Sequence, residues 1–300
     1  MSDSLATEFC DAVEMVDVDI RQWVESARQD QTLYRNRQTT EIVLAAIGLA
    51  PSLHDTLVLK GGTLMALAFR SERVTGDVDF SANAGPENFA EMLTAELNRV
   101  LTTTAIRLGY LDIVCRVQGV VKRPRPLNFA DYDFPALEVR VASALRGTPQ
   151  EQALKEGRAA RILKVEISFR DQVYAFQELN LMRAGASVRA FTIHEIIAEK
   201  LRALLQQPIR NRNRRQDVYD IALLLDEHPI MDEDRRIIFT TFIEKCRTRG
   251  ISPDSTSLDD SEVVRRAEVD WETLRLEVTN LPAFYDRFAV VRAFYSSLPW

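Results

Sequence analysis

With 300 residues, the chain has room for about two domains that each bury a core of their own. Apolar residues make up 46% and charged residues 27%, a balance that excludes wholesale disorder. The net charge of −6 is not that of a protein that binds nucleic acid with its whole surface, although an average can hide a local patch. The first residues lack the basic and apolar blocks of a signal peptide, and no apolar run reaches the length of a membrane span, so a cytoplasmic protein with no membrane partner is expected. Cys10, Cys115 and Cys246 are odd in number and far apart, which argues against a disulfide framework or a zinc site and for buried apolar residues.

Residues 1–55 read as a helical segment, with Phe9, Val13, Val16, Ile20 and Val24 at helical spacing and a second apolar stretch over 42–49, before Pro51. Residues 56–191 alternate strands with one longer helix, 86–107. Strands are expected at 56–60, 77–82, 111–121, 136–145, 161–170 and 173–181, with turns at Gly85, Gly109, Gly147 and Gly185. From 192 to 300 only helices are evident, at 193–206, 214–226, 233–248, 259–278 and 283–297, with a loop over 249–260. The expected class is α+β with a helical C-terminal domain.

The densest chemistry lies in 59–82. The strand 56–60 rests on Leu57, Val58 and Leu59; Gly61 and Gly62 break it and let backbone N–H groups approach an anion at the start of the helix 63–70. In the next strand Asp77, Asp79 and Ser81 share one face while Val78 and Phe80 point into the core. Two carboxylates roughly 7 Å apart along a strand can hold Mg²⁺ between them and a bound nucleotide, because that hard cation keeps phosphate oxygens as the rest of its shell. A solvated strand edge or a turn would use the same Asp-x-Asp pattern.

Further along, Leu163, Val165, Ile167 and Phe169 form one face of a strand, and Lys164, Glu166 and Ser168 the other. A glutamate in that position calls for a partner. Metal sharing with Asp77 and Asp79, activation of an incoming hydroxyl, or a salt bridge to a neighbouring strand's Arg140 would each serve, and Glu138 competes for the same role. On the helix 193–206, Ile193, Ile196, Ile197, Leu201 and Leu204 cluster on one side. Lys200 falls inside that stripe, with Glu195, Glu199 and Arg202 outside it. Such a lysine either meets an anion, such as a triphosphate at the Gly-Gly turn, or snorkels along apolar surface. Unpaired, it disfavours folding, so methionine at 200 is expected to be at least as stable.

Asp217 borders the stripe of Val218, Ile221, Ala222 and Leu225, with Asp220 further out; its place in the first helical turn also suits a plain capping role. Between 200 and 215 stand six cations and no carboxylate: Lys200, Arg202, Arg210, Arg212, Arg214 and Arg215. Lys122, Arg123 and Arg125 add a second run in a Pro-rich loop. Solvated loops or a polyanionic partner explain them.

Gly-Gly-Thr followed after a short helix by Asp-x-Asp resembles the first motif of the nucleotidyltransferase superfamily. Glu-Lys-Leu-Arg-Ala-Leu at 199–204 and Arg-Arg-x-Asp-x-Tyr-Asp at 214–220 resemble the paired lysine and aspartate motifs of the AbiEii/AbiGii-type toxins. The matched elements cover about 56–227; Thr63 stands where serine is frequent and keeps the hydroxyl, while no motif of the family is recognised in 1–55 and 228–300. The resemblance implies a nucleotidyltransferase fold, a mixed sheet with flanking helices, over 56–191 and a helical domain over 192–300. It implies transfer of nucleotides from an NTP to an RNA acceptor, in some members the tRNA 3′ end, with growth arrest and phage defence as consequences and a cognate antitoxin as partner. In this chain Asp77 and Asp79 are then expected to bind Mg²⁺ or Mn²⁺. Glu166 would complete the metal site or orient the acceptor hydroxyl, and Gly61, Gly62 and Thr63 would hold the phosphates. Lys200 would neutralise the triphosphate, Asp217 would position that lysine or act as a base, and Arg210, Arg212, Arg214 and Arg215 would contact RNA. Transfer of a phosphoryl or nucleotidyl group to a partner protein, and a catalytically silent interaction module of the same fold, stay open.

Overall fold

The computed structural model describes residues 13–124 and 129–300, so Phe9, Cys10 and Arg125 lie outside the described residues. Among the described residues eight strands form one mixed sheet: β1 (Met15–Val18), β2 (Leu57–Lys60), β3 (Asp77–Ala82), β4 (Ile113–Arg123), β5 (Ala136–Leu145), β6 (Ile162–Phe169), β7 (Phe176–Leu181) and β8 (Ala186–Phe191). Their spatial order is β1-β7-β8-β2-β3-β6-β5-β4. β3 is an interior strand, antiparallel to β2 and parallel to β6. Ladder hydrogen bonds on both edges therefore fix the backbone that carries Asp77 and Asp79.

Leu59, Phe80, Ile167 and Leu137 are register partners across four strands, each 0–1% exposed. They form the floor on which helices α1 (Gln31–Leu49) and α3 (Phe89–Arg107) pack. α1 starts where the Asp30 carboxylate accepts from the N–H groups of Thr32 and Leu33, and from Gln38 to Ile47 every residue is buried. Its apolar residues 42–47 pack into the core, and the buried Glu41 among its polar ones is held by Arg21 at 3.1 Å and by the Tyr110 hydroxyl. Between β2 and β3 runs the eight-residue helix α2 (Gly61–Ala68).

After β8 the chain is helical: α4 (Ile193–Leu205), α5 (Arg215–Glu227), α6 (Asp232–Arg247), α7 (Ser261–Glu268) and α8 (Phe284–Ser296), with short helical turns between. The Thr192 hydroxyl accepts from the Glu195 N–H and caps α4. Most buried apolar side chains of sheet and helices join in one cluster that extends from Val18 to Leu298, and Ala142, Ala144, Leu154 and Ala159 form a small second one. Cys115 and Cys246 are free and buried in it, and burial pushes both thiols up to about 12. Among the described residues no helix is long and apolar enough to cross a membrane.

Three local expectations are corrected. Val16 does not continue a helix: it lies in β1, which pairs in parallel with β7, and the following helix Ile20–Glu25 begins at a cap made by Asp19. Residues 186–191 form β8, whose Ala and Ser content gives a weak strand signal until β7 and β2 pair with it on either side. The single helix expected over 259–278 is divided, because α7 ends at Glu268 and Asp270 takes a left-handed φ of 61° before the 3₁₀ turn Trp271–Leu276.

Candidate active site

Lys60 of β2, Asp79 of β3, Glu166 of β6 and Glu138 of β5 are successive register partners. Residues opposite one another in a sheet project from the same face. One lysine and three carboxylates thus stand in a row on the face opposite the Leu59–Phe80–Ile167 floor. Glu138 is not free in that row: Arg123 and Arg140 bind it, Arg140 Nε at 2.8 Å, and their bonds hold its carboxyl below the usual range. Arg140 is therefore committed to Glu138, and Glu166 has no hydrogen-bond or ion-pair partner among the described residues.

Burial pushes the Asp79 carboxyl up to about 6; Lys60 opposes the shift, and Glu166 and Asp77 reinforce it. Its negative charge is under-compensated, which is the condition that favours a bound cation. Among the described residues no three His, Cys, Asp or Glu side chains form a ready metal cage. A pair such as Asp77 and Asp79, with Glu166 alongside, fits a cation that takes its remaining oxygens from phosphates.

Gly61 has a φ of +73°, and a Cβ on it would overlap the Asp79 carboxylate, so glycine alone lets the start of α2 approach that acid. Among the described residues no side chain caps α2, which leaves its first N–H groups to an anion. Thr63 is buried and its hydroxyl donates to the Asp77 carbonyl at 2.8 Å, tying α2 to β3. For an anion it therefore has its backbone N–H and not its hydroxyl.

Lys60, which no motif singles out in the sequence, donates from Nζ to Ser168 Oγ at 2.8 Å and to Asp171 Oδ2 at 3.2 Å. Burial pulls its ammonium down to about 8. A cation closing an apolar strand directly before the Gly-Gly turn was the available signal.

Lys200 Nζ lies 2.9 Å from Asp217 Oδ1 and 2.7 Å from Asp220 Oδ2. Burial works against this ammonium, yet the two carboxylates outweigh it and its pKa is raised. Asp220, expected further from the core than Asp217, is fully buried, because Arg73 from the loop before β3 reaches both its oxygens at 3.2–3.3 Å and continues to Glu277 at 3.2 Å. Asp217 keeps one buried oxygen, Oδ2, without a hydrogen bond. Glu195 and Arg202, expected outside the stripe of α4, are also buried. α6 packs on that side and sends Lys245 Nζ to Glu195 at 2.6 Å and to Glu199 at 3.5 Å.

One cleft of about 580 Å³ gathers Gly61, Asp79, Glu166, Lys200 and Asp217 with a wall that includes Arg210, Arg212 and Arg214. Asp77 is exposed at the start of β3, two residues from Asp79, and Gly62 and Thr63 are buried beneath the start of α2. Arg215 does not line the cleft and faces Glu277 at 3.7 Å. Lys122 and Arg123 are engaged with Phe129 and Glu138 instead.

The sequence matches the family model described as nucleotidyl transferase AbiEii toxin, type IV toxin–antitoxin system, over residues 42–289, so the likeness extends at both ends beyond the 56–227 expected from the motifs. MenT4, a nucleotidyltransferase toxin from Mycobacterium tuberculosis, superposes with a TM-score of 0.51 at 18% identity, over 93% of this chain and 89% of that one. A structure from H. pylori, provisionally assigned as a nucleotidyltransferase, superposes with a TM-score of 0.51 at 15% identity, over 90% of this chain and 95% of its own. At such identities the likeness is one of fold, and it is the α+β fold expected. Curated proteins offer no match to the sequence.

Proposed function

Since the chain belongs to the AbiEii nucleotidyltransferase toxin family, we propose that it transfers nucleotides from an NTP to an RNA acceptor, the 3′ end of tRNA, in the cytoplasm. Growth arrest and phage defence follow from that modification, and a cognate antitoxin neutralises the chain. The observation that carries this reading is the row Lys60, Asp79, Glu166 across adjacent strands, beside a glycine-started helix and under a wall of arginines.

Asp77 and Asp79 hold Mg²⁺ or Mn²⁺, with Glu166 completing that set or orienting the acceptor hydroxyl. When bound, the cation supplies positive charge to the attacking and leaving oxygens. Gly61, Gly62 and Thr63 offer the uncapped N–H groups of α2 to the phosphates. Lys200 contributes a fixed positive charge, because Asp217 and Asp220 hold its Nζ from two sides. Asp217 positions that lysine or acts as the base through Oδ2, which makes no hydrogen bond among the described residues and lies 3.9 Å from Arg214 Nη1. The acceptor oxygen forms a bond to the α-phosphorus, the bond to the bridging oxygen breaks, pyrophosphate leaves, and, with Asp217 as the base, the hydroxyl proton passes to it. Arg210, Arg212 and Arg214 hold the acceptor backbone through phosphate contacts that carry no sequence information.

The test incubates the chain with each α-labelled NTP and total cellular RNA, with Mg²⁺ and with chelator. Label on RNA from a preferred NTP, lost in chelator and in Asp79→Ala, is the expected result. Label on protein would transfer the reading to a protein acceptor, and failure to bind Mg-NTP would make the chain a silent interaction module.

A further inference from the structure

Phe134 has no part in the roles above, yet its half-buried ring lines the same cleft, in the segment leading into β5. Two guanidinium groups lie over it, Arg249 at 3.1 Å from the ring centroid and Arg210 at 5.4 Å. They are held very differently. The Arg249 side chain is 7% exposed and bound by Asp171, the same carboxylate that binds Lys60 at 3.2 Å. Arg210 is exposed and has no carboxylate partner among the described residues.

A half-exposed phenyl ring in a cleft walled by arginines and carboxylates gains little from apolar packing there. What it offers is a flat face beside phosphate-binding groups. Planar guanidinium groups and nucleobases compete for such a face, and every base carries one. We propose that Phe134 is the stacking surface for a nucleobase in this cleft. Arg249 is its fixed support, and Arg210 yields its place on the ring to the base and turns to a phosphate. Through Asp171 and Lys60 the support is tied to the strand pair that carries Asp79, so the ring keeps its position relative to the reacting end of the cleft. Stacking tolerates any base, so Phe134 adds affinity without choosing the nucleotide. The proposal rests on the nucleotidyl-transfer reading only in requiring a nucleotide in the cleft; the base comes from the NTP or from the acceptor's 3′ terminus.

The two sources are separated by titrating the full chain, in Mg²⁺, into 2-aminopurine riboside triphosphate and into a short RNA ending in 2-aminopurine. Wild type, Phe134→Leu and Phe134→Trp are compared, and inorganic tripolyphosphate serves as the base-free reference. The expected result is that wild type quenches one of the probes on binding. Phe134→Leu should bind that probe about tenfold more weakly without quenching it, and Phe134→Trp should restore both. Tripolyphosphate affinity should stay the same in all three. A response from the triphosphate probe assigns the surface to the NTP, and a response from the RNA probe assigns it to the acceptor. The proposal is overturned if wild type quenches neither probe, if Phe134→Leu binds and quenches like wild type, or if Phe134→Leu loses tripolyphosphate binding in parallel. A wild type that quenches the triphosphate probe but labels no RNA retires the RNA acceptor and leaves the stacking surface standing.

Discussion

Asp79 carries a charge that burial disfavours in the absence of a cation. Its carboxyl is pushed up to about 6 in the folded chain, against about 4 for an ordinary aspartate. Between those values the folded state binds more protons than the unfolded one, so in chelator stability should fall as pH rises through that window. Asp79→Asn should remove the slope, raise stability at neutral pH by about 1–3 kcal/mol, and abolish transfer. Urea denaturation in chelator at pH 4.5 and 7 checks this, and a variant that keeps the wild-type slope would assign the titration elsewhere. Lys200 reverses the expectation drawn from its helix alone. With Asp217 and Asp220 both on its Nζ, Lys200→Met leaves two buried carboxylates with only Arg73 to answer one of them closely, and should cost about 3–5 kcal/mol. Equal denaturation midpoints for parent and variant would show that the pairing contributes nothing.

Elements carry the site in a division of labour. β2, β3 and β6 fix the acidic row through backbone pairing on both sides of β3, whereas the short helix Gln207–Arg210 and the turn after it present Arg210, Arg212 and Arg214 as exposed side chains. Arg212 is exposed, lines the cleft and has no ion-pair partner among the described residues. Arg212→Gln should therefore leave thermal stability unchanged while making the salt dependence of RNA binding shallower by about 0.7 in log–log slope, the share of one phosphate contact on a single strand. An unaltered slope in a filter-binding series would remove Arg212 from the RNA path.

At the scale of the whole molecule, the units we propose, 1–55, 56–191 and 192–300, share one apolar cluster that runs from Val18 to Leu298. Charged links also cross between them: Arg73 reaches Asp220, and Asp171 joins Lys60 to Arg249. A core with that continuity should unfold in one cooperative step. Calorimetric and van't Hoff enthalpies should agree, and two resolved transitions would show that the helical part is an independent unit.

The sequence by itself determined the features whose signal is local. Alternation over six residues set Asp77 and Asp79 on one face of β3, the same period set Glu166 on the polar face of β6, and the Gly-Gly turn announced the start of α2. Helical phase correctly aimed Lys200 inward, because the angle between successive residues is intrinsic to the helix. Phase names a face, however, and not what packs against it. Only the tertiary structure decided that Lys200 meets Asp220 as well as Asp217, that Arg73 fills the other side of Asp220, and that Lys245 buries Glu195. β1 and β8 were illegible for a related reason: four to six residues of small or mixed side chains carry too little period, and pairing with β7 supplies the missing free energy. The row of Lys60, Asp79 and Glu166 and the approach of Phe134, Arg249 and Arg210 join residues from distant parts of the chain. Strand register and packing bring such groups together, and neither is encoded in the spacing of any one segment.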